Sequence, residues 1–284
     1  MVSRKTILIT VDVEGVPLST GTVDYSSIAK GVRVLLELFR EFDVHATFFV
    51  TRDALEKNVG VLRRVLKEGH EVGCHGYRQN TSSRQYVSLE AETNSIINLL
   101  KVTPVGFRAH HFQINAAIMQ ALVKLGYKYD SSIIAPSSLL SRQHFRNTPK
   151  APYHPDLSDI YIEGDSPILE IPVSALPMVS LPLALSYMKL FALRLYKALL
   201  LRSDQSLLTL YLHPYDLFSL PSGVVNVPFF FRMFQNVGAG LPVLREVLET
   251  FEEHFSPIYI CAKDVIAQYA YNRSSSLLEC GTGK

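Results

Sequence analysis

Residues capable of acid–base or metal chemistry occur in this sequence directly after short apolar runs. The set combines carboxylates, imidazoles and a guanidinium: Asp12 and Glu14 after ILITV, His75 after EVGC, Arg108 after VGF, Asp130 after YKY, and His213 after LTLYL. Carboxylates and imidazoles act as general acids and bases and bind divalent metals, and a guanidinium orients a carboxylate through paired hydrogen bonds. These residue types indicate acid–base or metal-assisted chemistry.

The apolar runs have the length and composition of buried strands, and helical patterns lie between them. The predicted strands are Thr6–Val11, Ala46–Val50, Glu71–Cys74, Val105–Arg108, Tyr127–Tyr129, Leu169–Val173, Leu207–Leu212 and Pro257–Cys261. The predicted helices are Ser26–Phe42, Val59–Lys67, Ser88–Leu100, Ala116–Leu125, Leu183–Leu201 and Pro242–Phe255. Strands that alternate with helices are typical of a parallel sheet, and their number predicts an α/β barrel of seven or eight strands.

In a parallel barrel the C-terminal ends of the strands meet on one face, where barrel enzymes bind their substrates. We therefore expect the polar residues to share one pocket. Each alone also has a structural interpretation: Asp12 could cap a turn, and His75 and His213 could be core histidines. Asp130 and Arg108 could form a structural ion pair. Together they favour a site, because a charge buried at a strand end is costly unless it is paired or used.

Seven motifs, in this order, resemble those of the polysaccharide deacetylases, the NodB homology or carbohydrate esterase family 4 group. They are ILITVDVEG, ATFFVT, GHEVGCHGY, GFRAHH, LGYKYDSS, LEIPVS and LYLHPYDL. The resemblance covers residues 7 to 217 and is greatest to the branch linked to exopolysaccharide and peptidoglycan. It implies a distorted TIM-like (β/α)7-8 barrel. It also implies hydrolysis of a non-peptide amide bond, usually the N-acetyl group of an amino sugar or polysaccharide.

The resemblance also implies a catalytic role for four residues. Asp12 matches the catalytic base, and Arg108 matches the arginine that holds this base. His213 matches the catalytic histidine, which protonates the departing amine, and Asp130 matches the aspartate that supports it.

A divalent metal, with zinc expected, is a further implication of the resemblance, and Glu14 and His75 match metal-binding positions. The second metal histidine of the family lies four residues after the first, where this sequence has Gln79. Because an amide oxygen is a weaker zinc ligand than an imidazole, metal binding stays open. His110, at the neighbouring strand end, is the alternative third ligand.

Aromatic and histidine side chains beside the motifs are candidates for binding the substrate, an N-acylated amino sugar or glycan. We expect Tyr77, His111 and Tyr215 to have this role. Simple packing is the alternative for the tyrosines, and both His110 and His111 could line the pocket without binding a metal.

Two other functions stay open. One is a metal-independent hydrolase of small or cyclic amides, because relatives with the implied fold cleave such substrates. The other is a noncatalytic sugar-binding protein in which Gln79 marks lost chemistry. The presence of Asp12, Arg108 and His213 argues against the second, since a binding protein needs neither a base nor an acid.

Composition narrows the classes of protein further. The 284 residues include 28 Lys+Arg and 26 Asp+Glu, a net charge of +2 without runs of like charge, which does not favour nucleic-acid binding. The three cysteines form no zinc or disulfide pattern, and the charged N-terminal residues do not resemble a signal peptide. We therefore expect a cytoplasmic protein. The apolar stretch Leu176–Leu201 contains prolines and basic residues, so we expect no transmembrane segment.

The domain organisation predicted from these patterns is simple. We expect one barrel domain over residues 1–271 and a flexible C-terminal tail over residues 272–284, whose sequence NRSSSLLECGTGK shows no periodicity. Apolar helices on the outside of such a barrel are compatible with a homo-oligomer.

Overall fold

The structure is a computed structural model that describes residues 3–18, 22–76, 82–135, 148–178, 181–190, 193–218 and 240–270. The strands of this part are β1 (Ser3–Val13), β2 (Val16–Pro17), β3 (Val23–Asp24), β4 (Ala46–Val50), β5 (Glu71–Gly76), β6 (Gly106–Ala109), β7 (Tyr129–Asp130), β8 (Leu169–Glu170), β9 (Leu207–Leu212) and β10 (Phe255–Tyr259). The helices are α1 (Ser26–Glu41), α2 (Arg52–Lys67), α3 (Ser82–Leu100), α4 (Ala116–Lys124), α5 (Leu185–Leu190), α6 (Leu193–Leu200), α7 (Gly240–His254) and α8 (262–270). Short 3₁₀ turns at His110–Phe112 and Pro214–Leu217 follow β6 and β9.

Eight of these strands form one parallel sheet in the order β10-β1-β4-β5-β6-β7-β8, with β9 paired to β1. Strand β1 has three partners: its residues 3–7 pair with β10, 6–11 with β9 and 9–13 with β4. Beyond β8 the chain joins β9, because Ser174 N donates to Thr209 O at 3.1 Å and Thr209 N donates to Ser174 Oγ at 3.0 Å. The sheet thus curls into a distorted (β/α) barrel, which confirms the predicted fold class.

The strands are almost continuously apolar because side chains on both faces of the sheet are buried. All five residues of β4 are buried, and the neighbouring Phe48 and Phe49 belong to different hydrophobic clusters. The larger cluster lies between the sheet and the helices, and it includes Phe48 with Val32 and Phe39 of α1. Phe49 packs with residues from other strands, Leu8 and Tyr129 among them. This two-sided burial fixes the register, since a slip by one residue would exchange the faces.

Several elements differ from their predicted bounds. The single helix predicted over Leu183–Leu201 is two helices, α5 and α6. Helix α2 begins earlier than predicted because Thr51 Oγ1 accepts a hydrogen bond from Ala54 N at 3.4 Å and caps it. The pair β2–β3 was absent from the predicted strands. The predicted tail 272–284 lies outside the described residues, and a single domain over 1–271 stays a prediction.

One helix contacts the turn that follows His213. Helix α1 packs closely on the 3₁₀ turn after β9, since a Cβ atom at Gly31 would lie 2.5 Å from the Pro214 carbonyl oxygen. That turn carries the residues that follow His213.

Among the described residues, no helix has both the length and the apolar character to cross a membrane.

The substitution Gly31→Ala tests whether this close approach is required. We expect it to lower the free energy of unfolding by about 1–3 kcal/mol, because the added methyl group overlaps the backbone of the turn. Gly60→Ala on α2 is a matched control, since nothing lies within 4 Å of its Cβ position. That variant should gain about 0.5–1 kcal/mol from helix propensity alone. Urea unfolding of both variants measures the difference, and equal effects would contradict the steric account.

Candidate active site

Arg108, in β6, is fully buried and is the centre of a hydrogen-bond network at the C-terminal face of the barrel. Its Nη1 donates to Asp12 Oδ1 at 2.8 Å and to Thr10 Oγ1 at 2.7 Å. Its Nε and Nη2 donate to the carbonyl oxygen and the hydroxyl of Ser131, each at 2.8 Å. The Phe49 ring centre lies 4.5 Å from the guanidinium carbon. Because both charges are buried and the guanidinium is held on every side, the Asp12 carboxylate has one fixed position.

Glu14, just after β1, lies at the centre of a second cluster. Its Oε2 is 2.8 Å from His110 Nδ1 and 3.6 Å from His75 Nε2. Its Oε1 is 3.5 Å from His213 Nε2 and accepts a hydrogen bond from the Tyr215 hydroxyl at 3.2 Å. Burial alone would raise the pKa of Glu14, but the surrounding histidines hold this pKa well below its ordinary value. Glu14 is therefore ionised at neutral pH.

His75, in β5, is oriented by the neighbouring strand. Its Nδ1 lies 3.0 Å from the Arg108 carbonyl oxygen, which can only accept, so Nδ1 carries a proton and Nε2 faces Glu14. Metal-binding histidines commonly have this arrangement, in which the second ring nitrogen donates to a carbonyl. Burial lowers the pKa of His75, but the carboxylates of Asp12 and Glu14 raise it above its ordinary value. The Nδ1 side of the imidazole is thus held by a backbone carbonyl, and the Nε2 side faces carboxylates.

Three of these side chains can hold a metal ion. One ligand atom from each of Glu14, His75 and His110 lies within 4.8 Å of the other two. Two imidazole nitrogens and a carboxylate oxygen suit zinc and other divalent transition metals. The His75 ring is already oriented for ligation by its bond to the backbone. These three residues therefore fit a metal, with His110 in the place of the third ligand.

His213 follows β9 and begins the second 3₁₀ turn. Its Nδ1 lies 3.1 Å from Asp216 Oδ2, and its backbone N–H donates to the same oxygen at 2.9 Å. Its ring stacks on Tyr215 with 4.6 Å between centres. Burial lowers the pKa of His213, but Asp216 and Glu14 oppose this and raise the pKa to about 9. His213 is therefore a charged imidazolium at neutral pH, with Nε2 directed at the cluster.

The carboxylate that contacts Nδ1 of the His213 ring is that of Asp216, whereas Asp130 was predicted to support this histidine. Asp130 lies at the end of β7, where its Oδ1 accepts a hydrogen bond from Ser132 and its pairing partner in β8 is Glu170. Its place in the barrel is thus between β6 and β8. The reason for the difference is local, because a residue three positions after His213 reaches the ring within one tight turn.

The remaining predicted residues occupy different places. His111 is exposed beside His110, with 4.0 Å between ring centres, and both His111 and Phe112 have left-handed φ values of 53° and 58°. Burial and the charge of His110 lower the pKa of His111 to about 4, so it is neutral at neutral pH. Backbone strain of this kind is typical of functional sites. Tyr77 and Gln79 lie outside the described residues.

Sequence reasoning missed several residues of the site. Asp216 is one, although the spacing in HPYD is typical of a capped turn and contained the signal. Ser131, which holds Arg108 through both its backbone and its side chain, is another. Tyr215 was predicted to bind the substrate, and the hydrogen bond from its hydroxyl to Glu14 was not predicted. The contacts of Ser131 and Tyr215 depend on tertiary structure, and no short pattern marks them.

The fold and the geometry define a (β/α) barrel with a carboxylate–histidine cluster at the C-terminal ends of its strands. Comparison with known proteins gives a match to one family over part of the chain. Residues 2–129 match the family described as polysaccharide deacetylase, and this match includes Asp12, Glu14, His75 and Arg108. The match covers slightly less than half of the chain, and over these residues the chain is similar to that family.

Curated relatives match over part of their length. A peptidoglycan deacetylase of Helicobacter pylori is 28% identical over 109 residues, which is 37% of this chain and 37% of that protein. A peptidoglycan-N-acetylglucosamine deacetylase of Bacillus cereus is 29% identical over 98 residues, which is 33% of this chain and 46% of that protein. The matched segments thus span less than half of either relative.

Solved structures agree with the fold over nearly the whole chain. The crystal structure of Puue allantoinase superposes with a TM-score of 0.62 at 15% identity and covers 94% of this chain and 90% of that one. Identity at this level supports the shared barrel and nothing more specific.

The buried pair of Asp12 and Arg108 leads to a stability prediction. Arg108→Met should lower the free energy of unfolding by about 3–5 kcal/mol, because it leaves Asp12 buried without a counter-charge. The double variant Asp12→Asn/Arg108→Met removes both charges and should lose less than the sum of the single losses. Denaturant unfolding measures the cycle, with exposed Arg245→Met as the control that should change little. Strict additivity would contradict a direct pair.

Proposed function

We propose that this chain is an amide hydrolase that removes the acetyl group from an N-acetylated amino sugar in a glycan. One observation carries the proposal: an oriented carboxylate, Asp12, and a charged imidazole, His213, lie beside the same Glu14-centred cluster. His213 Nε2 is 3.5 Å from Glu14, and the Asp12 carboxylate helps to raise the pKa of His213 and His75. A base, an acid and a candidate ligand set thus converge.

The two protonation states suit amide hydrolysis. Asp12 is held by Arg108 and can accept a proton from the water that attacks the acyl carbonyl. His213 carries a proton at neutral pH, and Asp216 anchors its Nδ1, so Nε2 can donate to the departing amine. The products are a carboxylic acid and a free amino sugar. The two residues thereby divide the work of base and acid, as pairs in different environments do.

Glu14, His75 and His110 are the residues that would hold a divalent metal, and we propose zinc. When bound, such an ion polarises a carbonyl and lowers the pKa of water to about 7. The contribution of this chain is a set of two nitrogens and one oxygen with His75 fixed from behind by the Arg108 carbonyl. Gln79 and His110 were both candidates for the third ligand, and the position of His110 beside Glu14 and His75 supports His110.

For the substrate we propose a glycan of the peptidoglycan or exopolysaccharide type. The names of the curated relatives support peptidoglycan. The neutral His111 ring is exposed beside His110 and can hydrogen-bond a sugar hydroxyl without adding charge. Tyr215 donates a hydrogen bond to Glu14 and stacks on His213, so it also positions the acid.

Activity toward N-acetylglucosamine oligomers tests the assigned roles. We expect Asp12→Asn and His213→Ala each to lower kcat by about 10²–10⁴-fold, because each removes a proton-transfer group. Asp43→Asn and His254→Ala change the same residue types away from the site and should keep full activity. Acetate release measures turnover. Full activity in either site variant would contradict its role, and sugar binding without hydrolysis by the unaltered chain would favour a binding protein.

Metal binding has its own test. We expect His110→Ala to weaken zinc binding by more than about 100-fold, because loss of a ligand should cost at least as much as loss of a residue that orients one. His111→Ala, next to it, should bind zinc as the unaltered chain does. Isothermal titration with zinc and metal content by mass spectrometry measure both. If Gln79→Ala loses zinc and His110→Ala does not, Gln79 is the ligand, and activity in metal-free protein would favour the metal-independent hydrolase.

A further inference from the structure

Two carboxyl groups outside the proposed machinery lie side by side in the barrel. Asp130 ends β7 and Glu170 ends β8, and the two residues are directly paired in the parallel register. Both are completely inaccessible to solvent. Ionised carboxylates in such a place repel each other and lose their hydration, so at least one of them needs a counter-charge or a proton.

Hydrogen bonds account for only half of their oxygens. Asp130 Oδ1 accepts from the Ser132 hydroxyl at 2.6 Å, and Glu170 Oε1 accepts from Ile133 N at 3.0 Å. Asp130 Oδ2 and Glu170 Oε2 are buried and receive no hydrogen bond from any other described residue, and the two carboxyl groups are close enough to hydrogen-bond each other if one carries a proton. Two carboxylates cannot satisfy each other, but a carboxylic acid can donate to a carboxylate. One proton between the pair therefore satisfies both remaining oxygens.

The charged and titratable groups that face the pair do not replace this proton. Arg108 of β6 is the nearby cation, but its donors are directed at Asp12, Thr10 and Ser131. The groups with an electrostatic effect on Glu170, or affected by it, are Arg108, Asp130, Tyr153 and Tyr161. The Tyr153 hydroxyl donates to the Ile160 carbonyl oxygen instead.

We propose that Asp130 and Glu170 share one proton, formally on Glu170, and that this carboxylic acid–carboxylate pair positions the strand ends that present Arg108 and His110. The effect of this pair on catalysis rests on the proposed function, whereas the shared proton does not. Burial and the neighbouring Asp130 carboxylate raise the pKa of Glu170 well above its ordinary value, in agreement with a proton held at neutral pH.

The connection from the pair to the site is short. The Ser132 hydroxyl donates to Asp130 and accepts from Ala109 N at 2.7 Å, and Ala109 lies between Arg108 and His110. Ile133 N donates to Glu170, which fixes the same segment one residue further on. Glu170 is thus a positioning residue, since it acts on the site through Asp130 and the serine.

The proton has a measurable effect on stability. A carboxyl whose pKa is higher in the folded than in the unfolded chain contributes stability that is lost as pH rises above its unfolded value, here 4.5. E170Q cannot lose a proton. Above about pH 5.5, the unfolding equilibrium constant of the unaltered chain should therefore rise with pH relative to that of E170Q, by up to about tenfold per pH unit for as long as the folded chain keeps the proton. Urea unfolding at several pH values measures this ratio, with exposed Glu163→Gln as the matched control.

The outcomes of the stability experiment separate clearly. A ratio that does not change with pH overturns the shared proton. Failure of E170Q to fold also overturns it, because the amide can make every hydrogen bond of the acid and should be tolerated. The same pH-dependent ratio in Glu163→Gln would assign the effect to something other than the pair.

Activity tests the positioning role by rescue. E170Q should keep kcat within about twofold, whereas Glu170→Ala, which loses both hydrogen bonds, should lower kcat by about tenfold or more with His110 misplaced. Equal loss in both variants overturns the positioning role. If the unaltered chain shows no deacetylation at all, the proposed function fails, yet the pH-dependent stability ratio still tests the shared proton by itself.

Discussion

A positive charge that solvent does not reach is the constraint on which this site depends. The Arg108 guanidinium must be neutralised and hydrogen-bonded where it lies, and β1, β6 and the segment after β7 each contribute to that requirement. Asp12 is held in one position as a consequence. The Arg108 carbonyl oxygen in turn orients His75, so one residue places groups in both the base and the ligand cluster. Without Arg108, Asp12 and His75 would no longer be held in fixed positions relative to each other.

The histidines of the Glu14-centred cluster differ in the group that contacts their Nδ1 atom. His75 is anchored by a backbone carbonyl, which leaves Nε2 facing the carboxylate, and His213 is anchored by Asp216, which favours the charged ring. His110 has a shorter approach to Glu14 than either. In the function we propose, the same side-chain type is a ligand in one place and an acid in another, because the second ring nitrogen meets a different partner.

The positions of the main site residues could be predicted because they follow apolar strands, and parallel strands end on one face. Asp12, His75 and Arg108 show this directly. Partners across the fold could not be predicted in the same way. Whether Asp130 or Asp216 reaches His213 depends on the geometry of a 3₁₀ turn, and the pairing of Asp130 with Glu170 depends on a register between strands about forty residues apart. The hydrophobic pattern gives strands and helices, but it does not specify which buried polar atoms meet.

Strand β1 pairs with β4, which follows soon after it, but also with β9 and β10, which lie about 200 and 250 residues further along the chain. Such non-local pairing makes folding slow, since a long loop must close before the contact is gained. During synthesis, which proceeds from the N-terminus at about 5–20 residues per second, β1 waits for roughly ten to forty seconds before β9 is made. His213 is therefore made well after Asp12, so the two groups cannot lie in one site before that interval has passed, and the apolar strand β1 needs protection from aggregation meanwhile.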